Sequence, residues 1–394
     1  MKLIDVTTIT KQLVAEVLGT TYMEQNGFLE AIPAEKLVDI GKDVTNTVAT
    51  TERAINSMIV LLTRHEIEVA DYAKLFGSIQ VTREEWGGFI ERTKLKIADV
   101  MEDPMLNLAD GVSYADKEHT YYKPKALTKI YDEGKGIVIP ISIQKSMLTE
   151  AFQSYEAMNS FQSKVLACVR ATLDIVVDRY ASALVCGAIV ISAKTTGTAI
   201  HLITEAIEKS ILEAGTTAEK ALENKAFLTF VAKRIGEVRK NMRVMSTAYN
   251  NKALPIGSGD QHCYLLTALD QALRANLMSG TFNRDDLSFG EYESVPLWQA
   301  MKAAESDGDF NYSTCATVSL AADPDNKLGA GTAAVKVENV VGLCCSKKAI
   351  GITLFKEYVT QTYTAVGDFW NNFTHVITNQ ILDPDYPIVA FILD

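Results

Sequence analysis

The residue patterns with the most chemical potential in this chain are few, and each is incomplete. Gly257-Ser258-Gly259-Asp260-Gln261-His262 opens like a dinucleotide-binding turn, where glycines let the backbone approach a pyrophosphate. The third glycine is missing and no helix clearly opens there, so a plain turn accounts for it better. Asp307-Gly308-Asp309-Phe310-Asn311 resembles the start of a calcium loop. Tyr312 stands where the sharp turn needs glycine, and Val318 where a bidentate glutamate should close the shell. His65-Glu66 is not followed by the second histidine that a helical zinc site requires. There is no GxxxxGK[ST] phosphate loop and no GxSxG nucleophile elbow. Asp285-Asp286, after Asn283-Arg284, reads more simply as a polar turn than as a general acid/base pair.

The six cysteines (Cys168, Cys186, Cys263, Cys315, Cys344 and Cys345) include no CxxC pair, and the five histidines are scattered. Cys344-Cys345 is the only close pair, and adjacent residues rarely bridge. Buried, reduced thiols are expected. The sequence therefore assigns no catalytic residue, no cofactor-binding residue and no metal ligand, and no cofactor is expected. Catalytic groups can be assembled from distant positions, so this weighs against an enzyme without excluding one.

The chain has 394 residues, 47% hydrophobic and 22% charged, an ordinary globular composition with material for a sizeable core in two or three domains. Its net charge of -11 disfavours a sequence-reading nucleic-acid binder, because an acidic surface does not attract phosphate. It favours solubility of a subunit made in many copies. Met1-Lys2-Leu3-Ile4-Asp5-Val6 is not a signal peptide, and the longest strongly apolar run, Ala183 to Ile191, is too short to span a bilayer. Synthesis and folding in the cytoplasm are expected.

Residues 1–85 read as amphipathic helices, with Asp43 or a neighbouring Thr capping a helix through Thr45–Tyr72. From about Phe89 to Pro140 the pattern changes to two stretches leading out and back around the polar Ala115-Asp116-Lys117-Glu118, closing on the β-branched run Ile137-Val138-Ile139-Pro140-Ile141. A long two-stranded excursion is marginal alone and implies a surface to lie against, a neighbouring subunit being the candidate.

From Ile141 to Cys186 there is neither Pro nor Gly. Met158, Phe161, Val165, Val169, Leu173, Val176, Tyr180 and Leu184 recur in steps of three or four, one face of a helix. Ser146 is its expected N-cap and Gly187 its expected end. Thr195-Thr196-Gly197-Thr198 reads as a turn, and Ala218 to Met245 as a second helix. The basic residues Lys233, Arg234, Arg239, Lys240 and Arg243 of that helix read as a solvated face. Strands are expected at His262–Thr267, around Val295–Trp298, at Ala334–Leu343, through Ala349–Val366 and at Ile388–Leu393, with a helix at Ala268–Leu277. The whole reads as an α+β fold.

This order of parts resembles the major capsid proteins of tailed phages, the Hong Kong ninety-seven fold. The resemblance is carried by Gly136-Ile137-Val138-Ile139-Pro140-Ile141-Ser142-Ile143-Gln144 and by Ala151-Phe152-Gln153-Ser154-Tyr155 opening the long helix. Leu265–Phe282 with Asn283-Arg284-Asp285-Asp286-Leu287, and Ile388–Asp394, look like corresponding parts of short-tailed phage head proteins. The resemblance implies a helical N-terminal arm (1–87), an extended β-hairpin loop over the adjacent subunit (88–141) and a peripheral domain with a spine helix (142–219). It further implies an axial domain (220–335) and a return through peripheral strands to a terminal axial strand (336–394).

The implied function is structural, not enzymatic: self-assembly into hexamers and pentamers of an icosahedral head around double-stranded DNA. Partners would be further copies of the chain, a portal, and scaffolding or decoration proteins, with no sequence-specific DNA binding and no membrane. The location would be the virion capsid, assembled in the host cytoplasm. An encapsulin-like nanocompartment shell is the alternative, a soluble enzyme a more distant one. Gly87-Gly88 and Gly134/Gly136 would be swing points of the loop. Lys117, Lys123 and Lys125 lie near its tip, but nothing in the sequence pairs them with a cross-linking asparagine.

Overall fold

The computed structural model describes residues 6–28, 32–63, 75–81, 90–95, 126–131, 134–244, 246–249, 256–257, 259–277, 291–299, 312–322, 328 and 330–394. Four helices open the chain: α1 (Val6–Leu18), α2 (Thr20–Gln25), α3 (Leu37–Thr45) and α4 (Val48–Thr63). The expected single helix from Thr45 is instead broken at Asn46-Thr47. Asp43 lies inside α3, where it accepts the Tyr22 hydroxyl at 2.6 Å. The Thr47 hydroxyl oxygen accepts the Thr50 N–H at 3.2 Å and restarts the helix as α4. Leu13, Leu37, Ile40, Val44 and Ile55 bury into one core with Phe152, Met158 and Trp370, so these helices form a packed layer. Gly41 allows the closest approach: a Cβ there would fall 2.5 Å from that of Phe152.

The long helix is present but shifted. A short helix α5 (Lys145–Ala151) ends at Phe152-Gln153, and α6 then runs from Tyr155 to Lys194, 40 residues. Its cap is Ser154 and not Ser146: the Ser154 hydroxyl oxygen accepts the Ala157 N–H at 3.1 Å. Gly187 does not end it. That residue lies inside α6, where a Cβ would meet the Leu328 carbonyl oxygen at 2.9 Å and the Leu382 side chain at 3.0 Å. The helix stops at Lys194, and Gly197 at φ +86° makes the expected turn. At 1.5 Å per residue, α6 is about 60 Å long. Its Cys168–Lys194 part is long and apolar enough to cross a membrane, but 67% of the apolar window is buried inside the protein, as in a core helix.

The described strands are β1 (Gln80–Val81), β2 (Ile90–Leu95), β3 (Ala126–Tyr131), β4 (Gly134–Gln144), β5 (Ala199–His201), β6 (Gln261–Leu266), β7 (Glu293–Val295), β8 (Val318–Leu320), β9 (Val335–Val337), β10 (Val340–Ser346), β11 (Ile350–Thr364), β12 (Phe369–Leu382) and β13 (Ile388–Ile392). They make a four-stranded sheet β1-β11-β12-β4, a five-stranded sheet β5-β13-β10-β6-β7, and the separate pairs β2-β3 and β8-β9. β12 was not legible in the sequence. It pairs with β11 on one side and β4 on the other. The expected strand Ala334–Leu343 is split by Asn339, at φ +56°, and β10 joins the five-stranded sheet, not the four-stranded sheet that holds β11 and β12.

The five-stranded sheet is buried on both faces, which explains its uninterrupted apolar strands. Tyr264, Leu266, Leu343, Cys345, Ile388 and Ala390 face the spine helix core; Cys263, Leu265, Val341, Cys344, Val389 and Phe391 face the opposite core. That second core is filled by α7 (Leu202–Glu208), α8 (Ala218–Glu223), α9 (Lys225–Asn241) and α10 (Thr267–Leu277). The expected continuous helix from Ala218 is divided by Asn224, whose side-chain oxygen accepts the N–H groups of Ala226 and Phe227 at 2.9 and 3.2 Å.

A seam joins the parts. Buried Asp178 of α6 accepts the backbone N–H groups of Leu75 and Phe76, each at 3.2 Å. The Ser78 hydroxyl meets the Tyr264 hydroxyl at 2.6 Å, and the Phe76 ring stands edge-on to Tyr264. The Trp298 indole N–H donates to the Val340 carbonyl at 2.7 Å, and Ser182 donates to the Trp298 carbonyl.

Candidate assembly site

Among the described residues, two lysines and two aspartates cluster at the foot of the expected excursion. β2 and β3 pair antiparallel from Ile90↔Tyr131 to Leu95↔Ala126 inside the expected excursion, whereas its closing run Ile137–Ile141 lies in β4 and pairs with β12. The middle of the excursion, including Lys117, Lys123 and Lys125, lies outside the described residues, as do Gly87-Gly88. Period-two alternation puts Arg92 and Lys94 of β2 on one face with Lys129 of β3, which stands opposite Arg92. That face meets the turn between β12 and β13.

Lys94 is bonded to Asp383 and reaches Asp385 at 2.9 Å; Lys129 reaches the same two carboxylates at 3.1 and 2.5 Å. The Asp383 side chain is fully buried and that of Lys94 is 8% exposed. The Asp385 N–H also donates to Asp383 at 3.1 Å, and the Lys94 ammonium lies 4.5 Å from the centre of the Tyr386 ring. Arg92 donates to the Lys348 carbonyl, pinning the hairpin to the β10–β11 turn as well.

Two ammonium groups against two carboxylates balance the buried charge. Burial alone would raise the Asp383 carboxyl; hydrogen bonds, foremost from Lys94, outweigh it and hold the group below the usual carboxylate value. The same contest, with Lys129 the leading donor, holds Asp385 down. For Lys129 burial lowers the ammonium pKa, but the Asp385 and Asp383 bonds raise it overall. Asp383, Asp385 and Lys129 are therefore ionised at neutral pH. The chemistry of the cluster is attachment: it fixes the direction of the hairpin while leaving Ile130, on the opposite face, 61% exposed.

The other sequence candidates are not brought to this site. Gly257 and Asp260 form a turn closed by the Asp260 N–H donating to the Gly257 carbonyl at 3.2 Å, as the turn reading expects. The calcium-like segment through Asn311, His65-Glu66 and Asp285-Asp286 lie outside the described residues. Among the described residues no cluster of His, Cys, Asp and Glu could hold a metal ion. All six cysteines are free; Cys186, Cys263, Cys344 and Cys345 are buried, but Cys168 is exposed, contrary to expectation. The basic face of α9 is also not uniformly solvated. Arg234 makes two 2.9 Å bonds to Glu205, and Arg239 is buried, donating to Gln261.

No match was found among curated proteins. Solved structures supply the fold. A chain from the capsid of Staphylococcus phage Andhra aligns with TM-score 0.53 at 13% identity, covering 84% of this chain and 87% of that one. A chain from the structure of the head fiber and inner core protein gp22 of native bacteriophage P68 aligns with TM-score 0.52 at 12% identity, covering 84% and 88%. The fold is thus the α+β phage capsid fold expected from the sequence, of the Hong Kong ninety-seven type. The family model of the Phi29-like phage major capsid protein matches residues 16–392. The chain belongs to the Phi29-like phage major capsid protein family and is a structural subunit of a phage capsid, a protein that assembles into virion shells.

Proposed function

We propose that the shell is an icosahedral head of hexamers and pentamers enclosing double-stranded DNA, and that the β2-β3 hairpin is the loop each subunit lays over its neighbour. One observation carries this reading. A two-stranded hairpin, marginal alone, is locked at its foot by buried charges while its outer face presents exposed Ile130. Such a device is useful when the outer face meets another copy.

In this reading residues 1–87 are an N-terminal helical layer and 88–141 the extended loop. The spine helix and the four-stranded sheet are the peripheral domain, so β4 joins it from the end of the 88–141 range. The axial domain is built on the five-stranded sheet, so it takes β5 and α7 from the 142–219 range and β10 from the 336–394 range, beside 220–335 and the terminal strand β13. The chain performs no catalysis and holds no cofactor. Its acidity, -11 overall, fits enclosure of DNA without sequence-specific binding. Portal and scaffolding or decoration proteins would join it in the host cytoplasm.

The test is expression with electron microscopy and sizing. Closed shells, pentamers or hexamers support the reading. Ile130→Asp should leave the monomer folded while reducing shell yield at least tenfold. A variant assembling as well as the parent would remove the hairpin face from the account.

A further inference from the structure

We infer that Cys263 and Cys344 are a redox-convertible staple across the five-stranded sheet, a dithiol in a reducing cell and a disulfide in particles exposed to peroxide. The two residues stand directly opposite on antiparallel β6 and β10. Opposed residues in such a ladder have Cα atoms about 4.5 or 5.5 Å apart, and both separations fall within the span a disulfide can bridge. The sulfurs already lie 2.9 Å from each other, inside the core shared by Leu265, Val341 and Val389. Cys345 follows in sequence but faces the opposite core, with His262 as its cross-strand partner. Cys186 donates to the Trp298 carbonyl in that other core. The pairing is therefore specific, and the adjacent Cys344-Cys345 pair that stands out in the sequence is the wrong one.

The direction of attack follows from the contacts. Cys344 donates its S–H to Cys263, and this bond, with the buried Arg239 guanidinium nearby, lowers the Cys263 pKa against the effect of burial. In the proposed step the Cys263 thiolate attacks one oxygen of hydrogen peroxide. The O–O bond breaks, a sulfenic acid forms and hydroxide leaves, taking a proton to become water. The Cys344 sulfur then attacks the Cys263 sulfur, forming the S–S bond and expelling the second oxygen, which leaves as water with the Cys344 proton. Two thiols and one peroxide give one disulfide and two waters, with two electrons passing from sulfur to oxygen. Burial restricts the oxidant to a small molecule such as peroxide. The occasion, release from a reducing cytoplasm, rests on the capsid reading; the thiol chemistry does not.

The experiment uses assembled particles and, in parallel, unassembled chain, each purified under reducing conditions. Half is treated with hydrogen peroxide, the remaining thiols are alkylated in guanidinium, and non-reducing peptide mapping follows. The expected result is one linked peptide pair, Cys263 to Cys344, lost on treatment with dithiothreitol. A melting temperature raised by about 5 °C or more in oxidised material should accompany it. Cys263→Ser and Cys344→Ala should remove the peroxide-dependent rise. If a variant fails to assemble, the map of wild-type unassembled chain decides alone. Cys263 and Cys344 both found alkylated after peroxide, or linked to other cysteines, would overturn the proposal, whatever happens to shell formation.

Discussion

Replacing Asp383 with Asn tests the charge lock most sharply. Asp383 is fully buried and accepts from Lys94, from Lys129 at 3.1 Å and from the Asp385 N–H at 3.1 Å. Removing its charge leaves two ammonium groups to share Asp385. Breaking a buried ion pair by deleting one partner costs about 3–5 kcal/mol. The surviving Asp385 and the 31% exposure of Lys129 place this case near the lower end, about 3 kcal/mol. If the loss is local, opening of the hairpin becomes ~100-fold easier, since each 1.4 kcal/mol is a factor of ten. Hydrogen exchange by mass spectrometry should show the β2 and β3 amides exchanging about that much faster, while those of β6 and β10 keep their protection. Adding Lys94→Met restores charge balance between Lys129 and Asp385. The double variant should therefore recover at least ~1 kcal/mol relative to the sum of the singles. Unchanged hairpin exchange in Asp383→Asn, or strict additivity in the cycle, would refute the lock.

Four further outcomes follow from other contacts. Because the folded-state pKa values of Asp383 and Asp385 are depressed, their stabilisation is present above the ordinary carboxyl value of 3.8 and is lost as pH falls through the lower folded values. Hairpin protection factors, corrected for the intrinsic pH dependence of amide exchange, should thus be unchanged from pH 7 to 5 and fall only in strong acid. His262 behaves differently: burial, then Lys347, lowers it to about 4, so the unfolded chain binds its proton first as pH drops below 6.5. Stability should decline between pH 6.5 and 4 by on the order of 2 kcal/mol, and His262→Gln should flatten that part of the urea-midpoint profile. Gly187→Ala should destabilise by about 1–3 kcal/mol in thermal melts despite alanine's better helix propensity, because its Cβ meets a backbone carbonyl at 2.9 Å. Asn224→Ala removes both cap bonds of α9 and should cost about 1–2 kcal/mol by denaturant titration.

The sequence was most legible where one pattern runs unbroken. The apolar steps from Met158 to Leu184 announced α6, and the β-branched run at Ile137–Ile141 announced β4. The ends of α6 were misread because position, and not residue type, decides them. Ser146 falls inside the short α5, whose end at Phe152-Gln153 leaves Ser154 to cap α6, and Gly187 looks like a stop until Leu328 occupies the space beside it. β12 was invisible because its buried positions include Asn372, Thr374, Thr378 and Asn379, which blur the apolar alternation. The charge lock could not be read at all. Lys94 and Asp383 are 289 positions apart, and Lys129 and Asp383 are 254 apart, so only the folded topology reveals them as partners. The same holds for Cys263 and Cys344, paired by the β6-β10 register.

Electron cryomicroscopy of the assembled protein tests the central claim most directly, by locating β2 and β3 of each subunit relative to its neighbours. The account predicts closed shells in which the hairpin foot stays on Asp383 and Asp385 of its own chain while its Ile130 face is covered by an adjacent subunit. A chain that forms no shell, or shells in which the Ile130 face meets only solvent or its own subunit, would contradict it.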